Sequence, residues 1–123
     1  MTPSFDEQGI REAIGFYAAG MRMGDVETLK RAFHAQAILC GYLGDDLIAG
    51  PIAELYDWVG ANPAPAATGE PFSCETLAIE ITGRVATARV RESDHHGVVI
   101  DHFHLLKVGE HWSIVSKLWD AEP

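Results

Sequence analysis

A chain of 123 residues with 47% hydrophobic composition has the length of one domain, taken as residues 1–123, and enough apolar material to bury a core without disulfide staples. Eighteen acidic residues against nine basic ones give a formal charge of −9, which repels nucleic-acid phosphates and anionic lipid, so neither nucleic acid nor a membrane is an expected partner. The segment from Met1 to Asp6 lacks the basic and long apolar parts of a secretory signal, and no run approaches the roughly eighteen apolar residues that span a bilayer, so a soluble chain is expected; Cys40 and Cys74, in what look like strands, are expected to stay reduced, as in a cytoplasmic protein.

Ser4-Phe5-Asp6-Glu7 reads as a capping box, and Ile10, Ala13, Ile14, Tyr17, Ala18 and Met21 then recur at helical spacing. This predicts a helix from about residue 5 to residue 22. Gly24 and Asp25 punctuate it and open a second, shorter helix with Val26, Leu29, Ala32 and Phe33 on its inner face. Segments 37–42 and 46–49 are β-compatible pieces around the turn signal Gly44-Asp45. Gly50-Pro51 then starts a third helix, with Pro51 in its first turn and Ile52, Leu55, Tyr56 and Val59 facing inward. Residues 62–71, rich in proline and small side chains, predict a loop able to act as a mobile lid.

From Phe72 the period changes to two. Leu77, Ile79 and Ile81 alternate with Ala78, Glu80 and Thr82, Gly83-Arg84 turns the chain, and residues 85–92 form the next strand. After a turn at 94–97, segments 98–108 and 111–119 make a hairpin around Gly109-Glu110, giving four consecutive antiparallel strands. Counting back from that turn puts Trp112 opposite Lys107, Ile114 opposite Leu105, Ser116 opposite Phe103 and Leu118 opposite Asp101. The other face then carries His102, His104, Leu106, Val115, Lys117 and Trp119, a mixture suited to a homodimer interface or a partly wetted surface. If the first face meets the helices, Asp101 is its odd residue, because a bare buried carboxylate costs several kcal/mol. An internal polar cavity resolves that cost.

The strings Ile14-Gly15-Phe16-Tyr17 through Gly24-Asp25, Ala32-Phe33-His34-Ala35-Gln36-Ala37, and Leu105 through Lys117, in this order, resemble the nuclear transport factor 2-like superfamily over nearly the whole chain. Within it the pattern is most similar to the putative lumazine-binding and SnoaL-like groups. The resemblance implies an α+β, cystatin-like cone: three N-terminal helices packed on a curved, mainly antiparallel sheet around a ligand-sized cavity. Members include binding domains as well as isomerases, dehydratases and polyketide cyclases, so the cone alone does not choose a function. Ketosteroid isomerase is similar at Tyr17, a tyrosine on the first helix, and at Asp101, an acid on a late strand. Its base lies on the first strand, where this chain offers Cys40 or Gly41 instead of a carboxylate.

The candidate site follows. Tyr17 and Asp101 form a hydrogen-bonded pair that polarises a ligand oxygen, unless Tyr17 is a core aromatic satisfied by backbone. His34, after the second helix, supplies a proton-transfer group at the cavity mouth or merely answers the helix dipole. Trp58 and Phe103 stack on a flat ligand, and Cys40 is a small lining residue. Asp94, His95, His96, Asp101, His102 and His104 match no closed zinc spacing, and no cofactor motif is present, so neither metal nor cofactor is expected. Three functions compete: a domain binding a small planar heterocycle or polycycle, a cofactor-independent isomerase, dehydratase or cyclase using Asp101, Tyr17 and His34, and a homodimeric interaction domain without ligand.

Overall fold

A computed structural model of the chain describes residues 4–123; Met1 to Pro3, part of the segment read above for a signal, lie outside the described residues. Helix α1 spans Phe5–Met23. The Ser4 hydroxyl accepts the Glu7 N–H at 3.0 Å, as the capping box requires. Gly24 ends the helix with φ of 65°, the left-handed geometry that a side chain disfavours. Asp25 caps α2, Val26–Ala32, by accepting the Thr28 N–H. Phe33, counted on that helix from its spacing, instead opens β1, Phe33–Leu43, and β2 follows as Asp46–Pro51.

Helix α3 is Ala53–Ala61, so Pro51 ends the strand before it rather than starting the helix. The expected lid holds a one-turn helix, α4, Pro65–Thr68, closed by Gly69. Two anchors fasten this segment: Ala64 packs close against Gly24, and Glu70 pairs with His95 at 2.8 Å. Strands β3 (Phe72–Thr82), β4 (Val85–Asp94), β5 (Gly97–Val108) and β6 (His111–Ala121) complete the chain. No helix among the described residues is long and apolar enough to cross a membrane.

The six strands form one sheet in the order β2-β1-β6-β5-β4-β3, antiparallel throughout except where β1 lies parallel to β6. The three longer helices lie on the curved sheet, but the β1–β2 hairpin separates the first two from the third, so they are not one N-terminal block. Between them lies the core, with Ile10, Ile14 and Tyr17 of α1 meeting Leu29, Val90, Phe103, Leu105 and Ile114. Burying apolar side chains of this size removes each from water at a gain of roughly 1.5–3 kcal/mol, which is what holds the helices to the sheet.

Two bulges decide which side chains face that core. In β6 the register shifts between His104 and Leu105, which pair with Ser116 and Ile114 and leave Val115 as an extra residue. In β3 a second shift between Thr76 and Ala78 leaves Leu77 extra. Beyond a bulge, strict alternation points to the wrong face. The pairing expected near the turn, Trp112 with Lys107 and Ile114 with Leu105, is present. Past it, Phe103 pairs with Lys117 and Asp101 with Trp119, so Lys117 and Trp119 are buried while Leu118 is exposed, the reverse of the expected assignment.

Candidate polar site on the inner sheet face

Strands β4, β5 and β6 bring three titratable side chains, Glu92, Asp101 and Lys117, together beneath a fourth, Tyr17 of α1. Glu92 of β4 continues the inward row Ala86, Ala88 and Val90. Because Val90 pairs with Asp101, Glu92 and Asp101 are diagonal neighbours on one face, as are Asp101 and Lys117 across β5 and β6. Tyr17, fully buried, donates its hydroxyl to Glu92 Oε1. Lys117 Nζ donates to Asp101 Oδ1 at 2.8 Å, and both side chains are buried. Asp101 Oδ2 is buried without a hydrogen-bond partner among the described residues.

Aromatic rings enclose this cluster. Phe103 meets Tyr17 edge-on at 5.2 Å, and Phe33 does so at 5.9 Å. Lys117 Nζ stands 4.1 Å from the Trp119 ring centre and 5.7 Å from that of Tyr17. The Trp119 ring occupies the place a side chain at residue 41 would need, and any Cβ there would overlap it, so β1 requires Gly41.

Burial pushes the Glu92 carboxyl up to about 7, and the Asp101 charge adds to the rise, against the opposing pull of Lys117 and the Tyr17 hydrogen bond. The same burial, with the Glu92 and Asp101 charges, drives the Tyr17 phenol well above its ordinary value. Cys74 of β3, with Sγ 4.0 Å from Glu92 Oε1, is likewise pushed up by burial, which disfavours its thiolate. The result is a carboxyl that can take or give a proton near neutrality, braced by a neutral phenol and set beside an ion pair.

Of the residues expected at the site, Tyr17, Asp101 and Phe103 lie together on the inner face. The expected Tyr17–Asp101 hydrogen bond is replaced by two separate ones, Tyr17 to Glu92 and Lys117 to Asp101. Trp58, next to buried Val59 on α3, is 57% exposed, so it lines no inner pocket. Cys40, half-buried, alternates with inward Leu39 and Gly41 and so shares the outer face with exposed Ile38 and Tyr42. His34 is engaged locally, its Nδ1 accepting the Gln36 N–H at 3.0 Å, and the described interactions do not join it to the cluster. His102 and His104 are exposed on the outer face as expected, whereas Trp119 does not belong there. His95 stacks on His96 at 3.7 Å and pairs with Glu70, and among the described residues no three His, Cys, Asp or Glu side chains converge as metal ligands.

Glu92 and Lys117 escaped the sequence reading. A signal existed for Glu92, which falls in phase with the apolar row of β4. None existed for Lys117, because the bulge at Val115 leaves no mark on a two-residue period. The outer face carries two open depressions of about 360 and 280 Å³, bordered by Glu80, Thr87 and His104; the smaller also touches Phe103, neither is lined by Tyr17, Asp101, Trp58 or Cys40, and neither is the internal pocket expected from the sequence.

The sequence model of a family described as putative lumazine-binding matches residues 5–120. Among solved structures, an NTF2-like protein of unknown function from Methylobacillus flagellatus KT is 32% identical with a TM-score of 0.87, covering 99% of this chain and 96% of that one. Another NTF2-like protein of unknown function, from Shewanella baltica OS155, is 31% identical with a TM-score of 0.84, covering 100% of this chain and 99% of that one. Among characterised proteins, the aldolase FrzH of Cladobotryum sp is 23% identical over 109 residues, which are 87% of this chain and 84% of that protein.

Proposed function

This chain belongs to the putative lumazine-binding family of NTF2-like proteins, and from that premise we propose that it binds a small organic molecule against Tyr17, Glu92, Asp101 and Lys117. One observation carries the reading: Asp101 Oδ2 is buried without a hydrogen-bond partner among the described residues, which costs the fold the desolvation of that oxygen. A ligand donor set against that oxygen removes the cost, and the rings of Tyr17, Phe103 and Trp119 supply the apolar contact that gives most of the affinity of planar molecules. A heat-shift screen of flat heterocycles, lumazine included, tests this. Binders should raise the melting temperature, and Glu92→Gln should shrink the rise. A flat screen, or hits indifferent to Glu92→Gln, rejects the inner face as the binding site.

A second reading has its own support. A carboxyl poised at about 7 suits proton transfer, and a relative 23% identical bears the name of an aldolase, a class of enzyme whose carbon–carbon bond chemistry passes through an enolate or enamine. In that reading Glu92 takes the proton, the C–H electron pair moves into the enolate, and Lys117 and Tyr17 offset the charge on oxygen. Exchange of α-hydrogens of small ketones in deuterated water, followed by NMR, should proceed with the native chain and stop in Glu92→Gln. Equal rates in both exclude Glu92 as the base.

We also propose a homodimer through the outer sheet face, where Ile38 and Leu118 are exposed on adjacent strands β1 and β6. Leu118→Glu should then give monomers by light scattering, and an unchanged mass rejects that face.

A further inference from the structure

Resting on the binding reading above, we propose that the ligand presents a cationic N–H group, a protonated amine, amidine or ring nitrogen, to Asp101 Oδ2 and Glu92. The cluster holds two carboxyl groups and one ammonium, and that ammonium is already committed. Lys117 bonds Oδ1 and rests against the Trp119 ring, so it does not serve Oδ2 as well. An ionised carboxylate only accepts hydrogen bonds. Whatever completes Oδ2 must therefore donate, and a ligand carboxylate or phosphate at that position would meet two like charges in a buried setting.

Three further features favour a cation over a neutral donor. Glu92 stands diagonally beside Asp101, so a positive group between them balances both carboxylates. The surrounding Tyr17 and Trp119 rings already accommodate the Lys117 charge on their faces, which shows that cationic groups are tolerated there. The chain as a whole, at −9, draws cations toward it and repels anions. Groups facing Glu92 from neighbouring elements are Tyr17 of α1, Cys74 of β3, Asp94 of its own strand, Asp101 of β5 and Lys117 of β6. A cation arriving there favours the ionised carboxylate, and so displaces the proton from that part of the Glu92 population that carries one near neutral pH.

The test uses three probes with one ring and different charge: benzamidinium, benzamide and benzoate, titrated into the full chain by calorimetry. Benzamidinium should bind one-to-one at least about tenfold more tightly than benzamide, with benzoate weakest, and its binding near neutrality should release protons, read from the dependence of heat on buffer. Glu92→Gln should abolish the proton release and most of the preference. Asp101→Asn alone risks unfolding by stranding Lys117, so the Asp101→Asn/Lys117→Met double variant serves instead, and it too should lose the preference. A retained preference in both variants means that the acidic surface binds the probe, and overturns the proposal. Benzamide or lumazine binding as tightly as benzamidinium overturns it while leaving the binding reading intact. Failure of all three probes together with a flat heterocycle screen removes both.

Discussion

Two lysine–aspartate pairs, each with a tryptophan beside it, occupy opposite ends of the helix–sheet seam. At the rim, Lys107 Nζ and Trp112 Nε1 both donate to Asp6 Oδ1, at 2.8 and 3.1 Å, tying the start of α1 to the β5–β6 hairpin. Inside, Lys117 meets Asp101 at the same 2.8 Å and rests on Trp119. The side chains are 22% and 37% exposed at the rim, but 6% and 0% inside. Bond length is the same; solvent is not. Water and salt can replace either partner at the rim, whereas the inner pair is buried and still leaves Asp101 Oδ2 without a donor among the described residues. A pair that fastens elements is well satisfied and cheap to break, while one that is costly to keep and incompletely bonded is better suited to a ligand.

The largest effect expected from this contrast is at Lys117. Lys117→Met strands a buried carboxylate and should lower stability by about 3–5 kcal/mol in denaturant titration. The Asp101→Asn/Lys117→Met double variant removes both charges and should recover most of that loss. If the single variant is nearly as stable as the native chain, the inner pair is wetter than its burial implies and the contrast with the rim collapses.

Next in size is a pH effect. The Glu92 carboxyl lies at about 7 in the folded chain against an ordinary 4.5, a raised value. Its stabilising contribution is therefore fully present below the unfolded value and is lost as pH rises through the folded one. Between those limits the chain should lose a few kcal/mol, seen as falling denaturation midpoints between about pH 5 and pH 8. Glu92→Gln, which keeps an oxygen for the Tyr17 hydroxyl, should flatten the decline. A decline of equal slope in the variant would assign it to other groups.

The same contrast explains what was legible in the sequence. The helix caps at Ser4, Gly24 and Asp25, the hairpin turn at Gly109-Glu110 and the inward placement of Asp101 follow from local chemistry and an unbroken period, and they stand in the structure. The inner cluster depends on what breaks the period. Without the extra Val115, Lys117 and Trp119 would face outward and Leu118 inward; without the extra Leu77, Cys74 would leave the face that Ile79 shares with Glu92. Strand bulges have no fixed residue signature, so the residues they re-aim are the ones a strict alternation misplaces. Gly41 shows the same limit: its reason lies in the ring of Trp119, a long-range contact with no trace in the local sequence of β1.

The smallest expected effect sharpens the comparison from the rim side. Its two donors hold the Asp6 carboxyl below the usual value, the Lys107 bond first and the Trp112 bond second. For such a depressed group the contribution is present above the unfolded value and fades as pH falls through the folded one, opposite in sign to Glu92. Asp6→Asn should therefore lower the melting temperature slightly at neutral pH and low salt. The difference should vanish in acid and should also shrink toward zero at about 1 M salt, where screening reaches roughly 3 Å. The Glu92 effect, shielded by the sheet and α1, should survive the same salt. If salt erases both alike, the inner cluster is as solvated as the rim, and the reason for reading it as a ligand site is gone.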